Sequence, residues 1–192
     1  SFKEVMNSVA SNYPFWIVFC AILILISTFL MFNNNLIYFA KYALDMHEHQ
    51  GLILGMLNGV TLLAVPLWAF VAFILGKRNT WLIAMTLLFI GFCIFYIYPI
   101  STLNELLYIL AFIGLGNGAT GVLFWSMLPD TIEYGEWKSG IRTESSLYGF
   151  MTFAQKGAIA IAVIVLGTAL TNIGFVANQD QSSETLKSLK SL

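Results

Sequence analysis

The chain has 192 residues, of which 58% are apolar and only 10% are charged. Because ordinary soluble domains carry roughly 25% charged residues, this composition excludes a disordered chain and an ordinary soluble enzyme and indicates an integral membrane protein. Nine Lys and Arg stand against ten Asp and Glu, for a net charge of −1, so the basic surface that binds nucleic acid is missing.

Long apolar runs predict an all-α, polytopic membrane protein. A helix needs about 20 apolar residues to cross a bilayer, and lipid satisfies no backbone polar group. We predict five transmembrane helices in one bundle over 15–177, at 15–40, 52–75, 80–98, 106–128 and 147–176. Pro66 should kink the second span, whereas Pro99 and Pro129 are expected to close the third and the fourth.

The two ends of the chain are predicted to lie outside the spans. Residues 1–14 place apolar side chains at helical spacing among polar ones, which indicates a short interfacial helix or connector. Residues 178–192 predict an external loop and the start of a truncated further helix, so we expect a fragment of a longer protein. Lys and Arg are more frequent on the side of residues 1–14 and of the 129–146 loop, which places that side in the cytoplasm.

Glycine patterns predict helix packing rather than nucleotide binding. The GxGxxG pattern at 116–121 lies inside an uncharged apolar run, whereas a dinucleotide-binding motif follows a strand and opens a helix. The four-residue spacing of Gly114 and Gly118, and of Gly55 and Gly59, instead predicts close contacts between helices.

Histidine and cysteine residues predict no catalytic or metal site. His47 and His49 flank Glu48 after the first span, where they could ligate a metal or sense external pH, but a solvated loop is favoured. Cys20 and Cys93 lie in apolar runs and cannot form a disulfide framework. We therefore predict no enzyme, no metal site and no cofactor.

Lys156 is the strongest functional signal in the spans. It lies near the middle of the fifth span, where a Lys costs about 2.5–3.5 kcal/mol on the insertion scale, and no span contains Asp or Glu at depth. Tyr148, Thr152 and Gln155 share its helix face. This polar stripe predicts a substrate or ion pathway, with a structural buried pair as the alternative, and the counter-charge must come from a substrate or from a part of the protein not present in this chain.

The 129–146 loop combines charged and aromatic residues. Paired carboxylates could indicate acid–base hydrolysis, but a loop between two spans offers no substrate pocket. A solvated loop and a cytoplasmic gate, whose charges pair with another domain in one state, both remain open, and the interleaved aromatic residues favour docking. The candidate gate residues are Asp130, Glu133, Tyr134, Gly135, Glu136, Trp137, Lys138, Arg142 and Glu144.

The same loop resembles a known family. Residues 130–145 read DTIEYGEWKSGIRTES and resemble the signature loop of the glycoside–pentoside–hexuronide:cation symporters, which joins their tenth and eleventh helices. Residues 152–158 are similar to the eleventh helix of the family, which carries a Lys at the place of Lys156. Residues 35–42 and 174–182 resemble the end of the seventh helix and the loop before the twelfth.

The resemblance implies most of the C-terminal half of a major facilitator fold, which has two six-helix halves. It implies symport of a sugar or glycoside, coupled to Na⁺ or H⁺, by alternating access in a bacterial inner membrane. The missing N-terminal half would supply the cation carboxylates and most sugar contacts. In this half, the resemblance points to Lys156 and Thr152, and to Trp125 as the aromatic residue of the tenth helix. A same-fold symporter for a non-sugar solute such as a lysolipid, or a non-transporting membrane receptor or enzyme, remains the alternative.

Overall fold

The computed structural model describes residues 2–176, 179 and 181–191, and it is helical throughout its regular structure. The helices in chain order are α1 Phe2–Ser11, α2 Tyr13–Tyr38, α3 Gln50–Leu75, α4 Lys77–Ile97, α5 Leu103–Ser139, α6 Glu144–Asn172 and α7 Ser183–Leu189. A π-helical turn, Phe39–Ala43, extends α2. Parts of the predicted connector, bundle and tail, at Ser1, Ala177, Asn178, Asp180 and Leu192, lie outside the described residues.

Five of these helices, α2 to α6, are long and apolar enough to cross a membrane. The prediction of an all-α protein with five spans is thereby confirmed. Pro66 lies inside α3, where its missing N–H removes one backbone hydrogen bond. The short helix α7 begins after Ser182, whose hydroxyl accepts a hydrogen bond from the Thr185 amide at 3.1 Å.

The helix α5 does not end at Pro129, contrary to the prediction. It continues through the proline to Ser139, and the whole helix has 37 residues, or a length of about 55 Å. The segment 129–146 is therefore a loop only at 140–143, where Gly140, with a φ of +70°, ends the helix. At about 1.5 Å per residue, α5 is longer than the ~30 Å hydrocarbon core, so part of it has to lie outside that core. We call its charged last turns, residues 130–139, the extension of α5.

Contacts with α1 and with Asn12, the residue that follows it, explain why α5 remains helical beyond Pro129. Asn12 is buried, and its Nδ2 donates to the Thr131 carbonyl at 2.8 Å. A Cβ on Gly135 would lie 2.7 Å from the same Asn12 nitrogen, so a larger residue there would have to displace the Asn12 amide. Two further hydrogen bonds between α1 and the last turn of α5 join Ser8 Oγ to Ser139 Oγ at 2.7 Å and Lys138 Nζ to the Ser11 carbonyl at 2.9 Å.

The chain divides into two compact units. The first contains residues up to Leu30 together with Phe124–Ile164, so it holds α1 and parts of α2, α5 and α6. The second contains 31–123 and the residues from Val165 onwards. Phe15 and Met151 are fully buried in the first unit, as are Leu57 and Leu110 in the second.

In the second unit, α5 packs closely on α3 through two of the predicted glycines. A Cβ on Gly114 would lie 2.6 Å from the Leu57 carbonyl oxygen, and one on Gly118 would lie 2.6 Å from Ala64 Cβ. The prediction for these glycines is therefore correct. For Gly55 and Gly59 it stays a prediction, since an added Cβ there would meet no atom of the described residues within 4 Å.

Candidate functional site

The helix α6 presents three different faces along its length. One narrow stripe is buried in the protein, and it contains only apolar side chains. Its members in the first unit are Leu147, Met151, Ala154, Ala158 and Ala162. Since the remaining faces of α6 are covered only in part by the described residues, the kind of side chain on each of them indicates what each face meets.

A second face of α6 is polar and accessible. Thr152 and Lys156 are exposed, and Tyr148 and Gln155 are half-buried. Thr152 Oγ1 donates to the Tyr148 carbonyl at 2.9 Å, so the threonine hydroxyl keeps an acceptor site free for a solute. Within the described part of the chain, Lys156 makes no hydrogen bond and no ion pair.

The third face of α6 is accessible but apolar. Phe153 is 72% exposed and Ile164 is 64% exposed, and both lie about 60–80° further round the helix than Lys156. Exposed apolar side chains on a membrane span are compatible with lipid or with another apolar helix. Over 148–156 the polar face is thus distinct from the apolar one, whereas further along α6 the sector that contains Thr152 and Lys156 carries exposed Ile159 and Val163.

Lys156 lies deep along its helix. It is twelve residues after Glu144 and sixteen before Asn172, which places it about 18 Å and 24 Å from the two helix ends. A lysine stem cannot reach either end from there, so its ammonium group has to meet water, a solute or a counter-charge at depth.

Trp125 lies on α5 in the same unit. Its side chain is 49% exposed, and its ring centroid lies 4.7 Å from that of Phe124. Among the described residues, its indole N–H makes no hydrogen bond, which leaves the donor available to a ligand. Trp125 thus stands as a separate aromatic surface rather than as a hydrogen-bonded part of the polar face of α6.

Arg142 lies in the short connection between α5 and α6. Its guanidinium group lies 2.9 Å from a carboxylate oxygen of Glu136 and 2.9 Å from one of Glu144. Hydrogen bonds with Glu144 and Glu136 raise the pKa of Arg142 above its usual value, so the charge persists at all physiological pH values. In this structure, three of the predicted gate charges, Glu136, Arg142 and Glu144, thus pair within their own segment.

The aromatic residues of the same segment follow two different patterns. Tyr134 packs edge-on against Tyr13, with ring centroids 5.3 Å apart, and Lys138 Nζ lies 5.9 Å from the Tyr134 ring. Trp137, by contrast, is 80% exposed. Asp130 and Glu133 are also exposed. The extension of α5 therefore presents a mixed aromatic and charged surface.

The histidine pair lies in a different place, in the second unit. His47 Nδ1 is 3.5 Å from an Asp45 carboxylate oxygen, beside an open cleft of about 750 Å³ that Lys41 and Tyr42 also line. His49 and Glu48 are exposed. No group of three metal-binding side chains occurs in the described residues.

One polar contact, between Asn33 and Asn58, was assigned no role from the sequence. Asn33 of α2 donates through Nδ2 to Asn58 Oδ1 of α3 at 3.2 Å, and this contact is exposed. Three consecutive asparagines at 33–35 inside an apolar span were the available signal. Their pairing with Asn58 depends on how α2 and α3 pack, which no local pattern predicts.

Comparison with known proteins decides the family. The sequence pattern of the family described as "MFS/sugar transport protein" matches residues 1–192. The chain belongs to this family. The resemblance to the glycoside–pentoside–hexuronide:cation symporters is thereby confirmed, and the family is one of transporters rather than of enzymes, as predicted.

Three relatives of the chain show the range of the family. An isoprimeverose transporter of Lactiplantibacillus pentosus is 35% identical over 80% of this chain and 32% of the relative. A putative sulfoquinovose importer of Escherichia coli K12 is 32% identical over 86% and 36%. A glucuronide carrier protein homolog of the same organism is 30% identical over 96% and 41%. The chain thus spans about two fifths or less of the length of these relatives.

Proposed function

We propose that this chain forms most of the second half of a cation-coupled symporter for a sugar or glycoside. The whole transporter would bind the sugar and Na⁺ or H⁺ between two halves and expose them alternately to the two sides of a bacterial inner membrane. Membership of the family supports the fold and the solute class, and the names of the relatives support a glycoside or sugar acid. The length that the relatives have beyond the match supports a further half.

The proposal for the site rests on one observation, the exposed polar face of α6. A Lys, a Thr and a Gln at depth would be costly if they faced lipid. Because the described residues supply Lys156 with no counter-charge, we propose that a carboxylate of the other half, at or beside the cation and sugar sites, pairs with it. Trp125 would add an aromatic surface with a free donor, on which a sugar ring can stack.

Thr152 provides the direct test of sugar binding. Replacing Thr152 by Val in the full-length transporter should raise the sugar Kd about 5- to 15-fold, since a net hydrogen bond contributes about 1–1.5 kcal/mol. The measurement is isothermal titration calorimetry on purified protein with a panel of glycosides and sugar acids.

Thr86 offers a matched control for that test. It is also exposed, and its Oγ1 also bonds to the carbonyl four residues earlier, that of Leu82, at 2.8 Å. Thr86→Val should leave the sugar Kd unchanged. Equal Kd values for the Thr152 variant and the wild type would remove Thr152 from the proposed site.

Arg142 tests the proposed cytoplasmic gate. Exposed ion pairs contribute little one by one, so a gate has to depend on Arg142 exchanging Glu136 and Glu144 for partners in the other half. Arg142→Gln should slow net uptake and counterflow several-fold and leave equilibrium sugar binding within twofold of the wild type. Arg78→Gln, another exposed arginine, is the control. Loss of sugar binding with a normal transport rate would contradict gating.

A further inference from the structure

A second polar surface lies on the second unit, between α2 and α3. Asn58 Nδ2 donates to the Leu54 carbonyl at 3.0 Å, and Asn58 Oδ1 accepts from Asn33 Nδ2 at 3.2 Å. Asn34 is half-buried and makes no hydrogen bond within the described residues. These contacts leave the Asn33 oxygen, one Asn58 amide hydrogen and the whole Asn34 amide available.

These three side chains lie at the depth of the hydrocarbon core. The span that contains Asn33 runs over Tyr13–Ala43, for 31 residues, or about 46 Å, so a ~30 Å core begins about 8 Å from each end. Asn33 is ten residues before Ala43, about 15 Å from that end. Asn58 is eleven residues after His47, at a similar depth.

The exposure of Asn58 favours a solute-binding role over a purely structural one. An asparagine that only joins two membrane helices is expected to lie between them, out of contact with the surroundings. Asn58 is exposed instead, and Gly51 and Gly55 on the same face of α3 have open space around them. Unpaired amides that faced lipid would be strongly unfavourable, so this surface meets water or a polar solute.

We propose that Asn33, Asn34 and Asn58 form a sugar-binding subsite in the half of the membrane that is predicted to be external. This inference rests on the function proposed above. An uncharged amide carries both donors and acceptors, as the hydroxyl groups of a sugar do, and the group contains no carboxylate that would favour a cation. The subsite lies in the second unit, whereas the sequence located candidate solute contacts only on α6 and α5.

Cysteine labelling tests whether the surface around Asn58 is accessible to water and whether bound sugar covers it. In a full-length transporter whose native cysteines, including Cys20 and Cys93, are replaced by Ala, Asn58→Cys should react with a membrane-impermeant maleimide. Saturating sugar should slow that reaction at least fivefold. Leu63→Cys is the matched control, since Leu63 is 76% exposed on another face of α3 and should stay unlabelled.

Binding measurements test the role in recognition. Asn34→Leu breaks no hydrogen bond within the described residues, so it should leave the melting temperature unchanged. Because it removes the amide that is proposed to contact the sugar, it should raise the sugar Kd at least tenfold. A lower melting temperature with an unchanged Kd, or no labelling of Asn58→Cys in a protein that binds sugar, would overturn the subsite. A wild-type protein that binds no sugar would instead overturn the proposed function, whatever the labelling shows.

Discussion

Lys156→Met in the full-length transporter should abolish coupled uptake and leave the protein folded. Met keeps an unbranched side chain one atom shorter than that of Lys and removes the charge. Because Lys156 is exposed and has no polar partner within the described residues, its replacement removes no contact within this half. In the whole transporter, the same change would leave the proposed carboxylate partner uncompensated in a partly buried site.

The expected effect is large because of that unpaired charge. Breaking a buried ion pair by removing one partner costs about 3–5 kcal/mol, which corresponds to a loss of roughly 10²- to 4 × 10³-fold in sugar accumulation at 1.4 kcal/mol per factor of ten. Uptake of labelled sugar against an imposed Na⁺ or H⁺ gradient, in membrane vesicles, measures it. Lys156→Arg should restore only part of the activity, since the planar guanidinium group does not replace a compact ammonium.

Two outcomes separate a pathway residue from a structural one. Lys3→Met, at an exposed lysine of α1, controls for the loss of a positive charge outside the spans and should transport normally. Normal accumulation by Lys156→Met would show that the residue is structural and would remove it from the site. A variant that fails to reach the membrane would place Lys156 in folding instead, and a melting curve on purified protein distinguishes that case.

Gly118→Ala should destabilise the protein, although Ala is normally the better helix former. The new Cβ would lie 2.6 Å from Ala64 Cβ and 2.8 Å from the Thr61 carbonyl oxygen, and neither is the end of a flexible side chain. The helices α3 and α5 would have to move apart, and overpacking of this kind costs about 1–3 kcal/mol. Measured as the melting temperature in detergent, the loss should be several degrees.

Gly121 provides the control on the same helix. A Cβ at Gly121 has no atom within 4 Å, so Gly121→Ala should keep or raise stability, by up to about 1 kcal/mol from helix propensity. Opposite signs for the two identical substitutions would support the α3–α5 contact. An equal effect of both on the melting temperature would contradict it.

The sequence by itself determined the spans and the class of the protein. The bilayer requires a helix of fixed length with apolar side chains, and each run meets that requirement without reference to its neighbours. The depth of Lys156 followed from the same count of residues. The family resemblance came from a contiguous stretch, 130–145, which is why it could be found without a structure.

Only the tertiary structure decided how the spans contact one another. Gly114 with Gly118, and Gly55 with Gly59, show the same spacing, yet within the described residues the first pair meets another helix and the second does not. Pro129 favours a helix end locally, but contacts such as the bond between Thr131 and Asn12, the residue that joins α1 to α2, hold α5 in a helix beyond it. The pairing of Asn33 with Asn58 likewise depends on the rotation of α2 against α3. Each of these outcomes is set by interhelical packing, which is a property of two segments at once and therefore leaves no periodic signal in either one.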